Sequence, residues 1–350
     1  MRPRHIFLLG ICALLLLAAG AWDNSARAVD RIEPEEAQLI DPGLMSYCQD
    51  MQAALASGQF DRLEGEAHQL DTLHDRVKGG SEKLVTFYSA VTNPGCDGFD
   101  CKADYQPLLP LMQAWLNREA RHTTTARIAN AWFWENYAWR ARDCADFHDI
   151  TFDAWQIFYD RIRIARSYLD HAGLQGDPVF YLVSLTLLRD FGGSRQEIDA
   201  VFRNGHAAFP TFLRLDAEYA ALLDPSWYGK EGDLGWLAET LLNDPGGDEG
   251  QMAYAVVAEE EAPHIPYPHL FLETGLRWDK TKPGLALIEQ KYGATNYDWN
   301  LICYMALVAI DRPTALDAYK HFEPIWNPAV WAGEDYFYDQ ALPWILYEKP

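Results

Sequence analysis

The sequence is poor in positive charge and lacks the short motifs that mark common catalytic sites. Its 350 residues include 29 Lys and Arg against 51 Asp and Glu, which gives a formal net charge of −22. Such a surface repels phosphate backbones and anionic bilayers, so we expect neither nucleic-acid binding nor peripheral membrane binding. The chain contains no glycine-rich phosphate loop, no Gly-x-Ser-x-Gly and no His-Glu-x-x-His. No nucleotide, nucleophile-elbow or zincin site is therefore predicted.

Apolar and aromatic residues, by contrast, are plentiful. Hydrophobic residues make up 49% of the chain and aromatic residues 13%, including 13 Trp. This composition is enough for a sizeable core. It is unlike that of disordered acidic tails, which have few aromatic residues.

The N-terminus has the layout of a secretory signal peptide. Arg2 and Arg4 precede an apolar run over residues 6–19, and small residues follow it. The run is shorter than the roughly 20 residues of a membrane-spanning helix, which favours cleavage over an uncleaved anchor. We expect cleavage after Ala28, with Ala21 as the alternative. The protein is then periplasmic or secreted in a bacterium.

After cleavage, one domain over residues 29–350 and five cysteines remain, namely Cys48, Cys96, Cys101, Cys144 and Cys303. Cys96 and Cys101 flank a short Asp- and Gly-containing loop, so we predict a local disulfide between them. A metal site is the alternative, but the segment offers only nearby aspartates as further ligands. The other three cysteines are an odd number, so at least one is expected to be a buried thiol.

Helical periodicity extends over nearly the whole chain, whereas alternating strand patterns are scarce. Residues 178–210 also match the spacing of a tetratricopeptide-type hairpin, with Gly193 as the break and then Ile198, Phe202, Gly205 and Pro210. In such a hairpin, small residues let helices approach, the aromatic ring fills the groove and Pro ends the helix. Partial copies occur at 299–328 (Ala315, Tyr319, Phe322) and 45–70 (Gly58, Leu63, Ala67, Leu70). We predict an all-α fold of stacked helical hairpins, a tetratricopeptide-like α/α superhelix.

Several stretches resemble a family of uncharacterised bacterial domains with a tetratricopeptide-like helical fold. The resemblance covers about residues 50–335. It is carried by Ala129-Asn130-Ala131-Trp132-Phe133-Trp134, Trp155 through Ala172, Asp177-Pro178, Leu223-Asp224-Pro225-Ser226-Trp227-Tyr228, Asp298-Trp299-Asn300, and Asp311-Arg312-Pro313 leading to Trp326-Asn327-Pro328. The family has no established catalytic residues, so the resemblance implies an architecture and no site.

One helix carries the candidate binding residues. Its aromatic residues surround the helix, which is typical of a central buried helix. The alternative is a platform for a sugar or peptide, because aromatic side chains are common interface anchors. The candidates are Trp132, Trp134, Glu135, Tyr137, Trp139 and Arg140.

Two other groups of polar residues do not form a complete site. Cys144 and His148 have the spacing of a metal-ligand pair, but no second pair is visible. The run of glutamates at 259–261, with His264 and His269, is interpreted as a solvated helix end followed by a Pro-rich connector. We therefore predict no catalytic residue, no metal and no cofactor.

Two functions fit these observations. The first is a non-catalytic helical-repeat protein that binds a protein or peptide in the cell envelope; its oligomeric state is left open. The second is an α/α-toroid hydrolase or lyase acting on a polysaccharide, which needs two carboxylates at a set separation. Paired acids and Trp side chains at the mouth of a closed ring of helices would favour the second.

Overall fold

The computed structural model describes residues 31, 34, 39–96, 102–118, 123–143, 145, 149–265 and 267–347. The chain divides into a short unit, Met1–Glu33, and one compact unit, Pro34–Pro350. The predicted signal peptide lies outside the described residues. All elements below belong to the second unit, which is all-α and built from stacked helical hairpins, as predicted.

Helices fill the first half of the described chain. They are α1 Pro42–Ala56, α2 Phe60–Leu73, α3 Lys83–Thr92, α4 Leu108–Arg118, α5 Thr124–Trp139, α6 Phe152–Leu169, α7 Pro178–Phe191 and α8 Arg195–Ala208. Short 3₁₀ turns, Arg140–Arg142 and Leu174–Gly176, follow α5 and α6.

The second half continues in the same way. Its helices are α9 Leu213–Leu222, α10 Asp233–Asn243, α11 Gly247–Glu261, α12 His269–Glu273, α13 Trp278–Tyr292, α14 Asn296–Val308, α15 Arg312–Phe322, α16 Glu334–Tyr336 and α17 Leu342–Tyr347. A π-helical turn, Phe337–Ala341, joins the last two. Helix α12 ends at Glu273 because Gly275 adopts a left-handed conformation, and α13 begins at Trp278.

Local sequence signals explain where α7 begins and ends and where α8 begins. Asp177 caps α7 by accepting from the Val179 N–H at 2.8 Å, with Pro178 in the first turn. Gly192 ends α7 in the left-handed region. Ser194 and Glu197 then form the reciprocal capping box that starts α8.

The hairpin spacing read from the sequence is visible in the packing of α8. Gly205 lies so close to its neighbours that an added Cβ would be 2.7 Å from Leu215 and 2.8 Å from Tyr181. Phe202 stacks on Tyr219 of α9 with ring centroids 3.9 Å apart. The small residue therefore admits the neighbouring helices and the aromatic ring fills the groove between α8 and α9, as predicted.

A row of helices that contact one another in series forms the inner layer. Helix α3 packs on α5, α5 on α7, α7 on α9 and α9 on α11. Outer helices pair with them, α6 with α5, α8 with α7 and α13 with α11, while α15 pairs with α14. The inner row provides the side chains of the candidate site.

The segment of residues 75–82, between α2 and α3, reaches across to the second half of the chain. Arg76 donates to Glu249 at 2.9 Å and to the Tyr292 hydroxyl at 3.1 Å. The buried Glu82 carboxylate accepts the Leu213 N–H at 2.7 Å, at the start of α9. These contacts hold residues 75–82 against α9, α11 and α13, so this segment closes one side of the inner layer.

The disulfide differs from the predicted one. Cys96 is bonded to Cys48 of α1, with the Cα atoms 5.6 Å apart, so the predicted Cys96–Cys101 bond is wrong. The short loop suggested a local pair, but the fold brings α1 beside the end of α3, and this bond joins positions 48 residues apart. Cys101 and Cys144 lie outside the described residues, whereas Cys303 is a free buried thiol.

None of the described helices is both long enough and apolar enough to cross a membrane.

Candidate binding cleft

Two adjoining cavities on the inner row of helices form what we call the inner cleft. The first, of about 350 Å³, is lined by Trp132 and Trp139 of α5, Arg189 of α7, and Arg214 and Glu218 of α9, among others. The second, of about 360 Å³, is lined by residues 79–81 and by side chains of α9, α11 and α14. Arg214 lines both cavities, so the two cavities adjoin at this side chain.

A chain of ion pairs runs along the first cavity. Arg189 pairs with Glu135 of α5 and with Glu218 of α9, each at 3.4 Å. Arg214 pairs with Glu218 and with Glu260 of α11, each at 3.0 Å. The two guanidinium groups thus link α5, α7, α9 and α11, which fixes the side-chain positions along the cleft.

Glu135 also belongs to a buried pair of acids. Burial, and then the neighbouring carboxylate of Asp190, hold the pKa of Glu135 well above its usual range. The Asp190 carboxylate accepts from Arg189 and from the Trp139 indole N–H, each at 2.8 Å. The Glu135 and Asp190 side chains are only 5% and 1% exposed. Because both acids face protein partners, they are suited to holding Arg189 and Trp139 in place.

Carboxylates dominate the second cavity. Burial, followed by the charges of Asp298 and Glu260, raises the pKa of Glu259 well above its ordinary value. Within the part of the chain that the structure describes, no hydrogen bond or ion pair holds Glu259. Burial also raises the pKa of Asp298, which accepts the Thr295 N–H at 2.6 Å. This end of the cleft therefore has a carboxylate without a counter-ion.

The six candidate binding residues predicted from the sequence do not all lie in the same cavity. Trp132, Glu135 and Trp139 line the inner cleft. Tyr137 and Arg140 line a different cavity, where the Arg161 guanidinium lies 3.4 Å from the centre of the Tyr137 ring.

Trp134 lines neither of these cavities. Its ring packs against Phe133 and Tyr137, with ring centroids 5.9 and 5.8 Å away. Half of the predicted set thus lies on the inner cleft, and half does not.

The glutamates at 259–261 are the residues that the sequence interpretation missed. They form the last turn of α11, where Glu259 and Glu260 line the second cavity. Glu261 is only 1% exposed, and neither of its carboxylate oxygens has a hydrogen-bond partner among the described residues. The solvated helix end expected here is therefore wrong for Glu261. Three consecutive acids that directly follow the apolar run 252–258 were the available signal.

The described residues contain no group of three or more His, Cys, Asp or Glu side chains that could hold a metal ion. His148 and Cys144, the spaced pair noted in the sequence, are not among those residues.

Fold and cleft together define an all-α helical-hairpin protein with an acidic, aromatic-lined cleft on its inner helices. No known protein family, curated protein or solved structure matches the chain. The resemblance to uncharacterised bacterial tetratricopeptide-like domains is therefore still a prediction.

Proposed function

We propose that this chain is an exported, non-catalytic binding protein whose inner cleft takes up a basic segment of another protein or a peptide. The observation that carries the proposal is that the two cavities adjoin at Arg214 on the inner row of helices. Together they form a groove on the inner helices. Trp132 and Trp139 line this groove, and ion pairs hold its charged side chains in position. Stacked helical hairpins commonly use such inner surfaces for extended ligands.

The charge of the lining selects the type of ligand. Five carboxylates line the cleft, against the guanidinium groups of Arg189 and Arg214. The carboxylates are Glu135, Glu218, Glu259, Glu260 and Asp298. Since Glu259 has no partner in the described chain, a Lys or Arg side chain of the ligand would pair with it and lower its raised pKa, which favours the charged carboxylate. The chain's net charge of −22 steers the same ligands toward it.

A polysaccharide-acting enzyme is the second candidate, and the raised pKa values of Glu259 and Asp298 in one cavity are the observation that favours it. A carboxyl group that keeps its proton near neutral pH can act as a general acid. Against this, Asp298 is held in the capping box at the start of α14. Release of reducing ends from polysaccharides by the wild-type chain, and its loss in Glu259→Gln, would establish the enzyme in place of the binding protein.

Export is part of the proposal and rests on the sequence of residues 1–28. The Cys48–Cys96 bond supports it, because disulfides persist in oxidising compartments. Fractionation of bacteria that express the full chain tests it directly. Recovery of a shortened chain beginning after Ala28 or Ala21 in the periplasm or medium is expected, whereas an intact chain in the cytoplasm contradicts export.

Photo-crosslinking from inside the cleft tests the binding proposal. Benzoylphenylalanine replaces Trp132 in the cleft and, as the matched control, Trp236, which is 59% exposed on α10. We expect a discrete adduct from position 132 alone, whose mass spectrum identifies the bound segment and its Lys or Arg residues. Equal adducts from both positions, or none from position 132, would contradict a ligand in the cleft.

A further inference from the structure

A second groove lies between α13, α14 and α15, and we call it the outer groove. Its volume is about 470 Å³, and its walls include Trp278 of α13, Trp299 of α14 and Pro313 of α15. Trp299 and Ile302 line this groove, whereas Asp298 and Leu301 line the inner cleft. Helix α14 therefore separates the two, and the outer groove is a distinct site.

Both tryptophans are held in position by protein contacts. The Trp278 indole N–H donates to Asp311 at 3.0 Å, and Lys282 donates to the same carboxylate oxygen at 2.9 Å. One face of the Trp299 ring is covered by His321, with ring centroids 3.8 Å apart and planes within 7°. Because these rings are already held in place, they lose little conformational entropy when a ligand binds, which favours binding on their faces.

The charges of the outer groove are balanced, unlike those of the inner cleft. Lys282 and Lys320 line it together with Glu289 and Asp317. Lys320 lies 3.8 Å from Asp317, and both side chains are exposed. Electrostatics therefore select neither an anion nor a cation here. The features that can select a ligand are the two tryptophan rings and the hydrogen-bond donors and acceptors around them.

From this combination we propose that the outer groove binds a short neutral oligosaccharide. The apolar C–H face of a sugar ring matches an indole face, and its hydroxyl groups match neighbouring ammonium and carboxylate groups. The volume of about 470 Å³ lies within the range of small-ligand pockets. This inference does not depend on the inner cleft or on the function proposed for it.

Calorimetric titration of the full chain with cellohexaose, maltohexaose, chitohexaose and oligogalacturonate tests the inference. We expect at least one neutral sugar to bind, and Trp299→Ala to lower its affinity by about tenfold or more. Trp236→Ala, which removes an exposed Trp outside the groove, is expected to leave the affinity unchanged. Circular dichroism establishes that each variant is folded.

If Trp299→Ala does not fold, substitutions in the exposed Lys320–Asp317 ion pair provide the second test. Asp317→Ala and Lys320→Ala remove only exposed side chains, and each is expected to weaken sugar binding several-fold. Binding by none of the neutral sugars, a preference for oligogalacturonate, or unchanged affinity in all groove variants would overturn the proposal. Loss of peptide crosslinking from the inner cleft would not bear on it.

Discussion

Arg214 of α9 and Glu260 of α11 form a 3.0 Å ion pair where the two cavities of the inner cleft meet. The same guanidinium group pairs with Glu218, whose side chain is buried. One residue thus joins two helices, neutralises two carboxylates and lines both cavities. The stability of the inner row and the electrostatics of the cleft depend on the same contacts.

Removing the Arg214 charge is expected to destabilise the fold. In Arg214→Gln, Glu260 loses its partner and Glu218 keeps only Arg189; because the Arg214 and Glu260 side chains are 34% and 22% exposed, the free energy of unfolding should fall by about 1–2 kcal/mol. Urea titration measures this. Arg163→Gln is the control, because its pair with Asp160 is exposed on both sides; it should change stability by less than about 0.5 kcal/mol. Equal effects of the two substitutions would contradict the role given to Arg214.

Glu261 should make the protein less stable as the pH rises. Burial raises its pKa from 4.5 to about 8, with the charges of Asp224 and Glu260 adding to the shift. Between these two pH values the folded chain holds a proton that the unfolded chain releases, so stability falls as the pH rises from about 4.5 to about 8.

The Glu261→Gln substitution should remove this fall in stability with rising pH. The variant should exceed the wild type by roughly 2–4 kcal/mol at pH 8.5 and by much less at pH 4.5 in urea titrations. Glu231→Gln, at an exposed position, should match the wild type at both pH values. A Gln variant that is less stable than the wild type at pH 8.5 would show that the carboxylate has a stabilising partner.

The Cys48–Cys96 bond should stabilise the N-terminal helices and should not need Cys101. A bond between positions 48 residues apart removes enough disorder from the unfolded chain to contribute about 4 kcal/mol. Cys48→Ser should therefore lower the unfolding temperature of the oxidised protein. Cys101→Ser should leave the Cys48–Cys96 linkage intact in peptide mass maps. A linkage between Cys96 and Cys101 in the wild-type map would be the contrary result.

Gly205 and Gly65 provide a matched pair of glycines within helices. An added Cβ at Gly205 would be 2.7 Å from Leu215, whereas at Gly65 it would meet nothing within 4 Å. We expect Gly205→Ala to cost about 1–3 kcal/mol through overpacking, and Gly65→Ala to gain up to about 1 kcal/mol of helix stability. Thermal unfolding compares them. A neutral Gly205→Ala would mean that α8 does not approach α7 and α9 this closely.

The helical-hairpin fold was predictable because its determinants are local. Phe202 and Gly205 pack against α7 and α9, the helices next to α8 along the chain, as their spacing predicted. The contact between Glu82 and the start of α9 joins positions 131 residues apart, and no local pattern encodes it. Long-range contacts of this kind decide which helices face the cleft.

The site was only partly predictable for the same reason. Trp132, Glu135 and Trp139 were found because aromatic residues crowd α5. Glu259 was interpreted as solvated, because the sequence does not reveal that α14 and residues 79–81 pack around it. The disulfide prediction was wrong on similar grounds, since a short loop offered a plausible pair while the fold placed Cys48 within reach of Cys96.

The most direct test of the central claim is a titration of the full chain with fluorescent peptides of equal length and graded charge, followed by anisotropy. Wild-type affinity should rise with the number of Lys and Arg residues and weaken as salt is raised. Glu259→Gln should lower the affinity for the basic peptides by about threefold to tenfold, whereas Glu231→Gln, at an exposed position, should not. Equal binding of acidic and basic peptides, or unchanged affinity in Glu259→Gln, would contradict a cleft that selects basic segments.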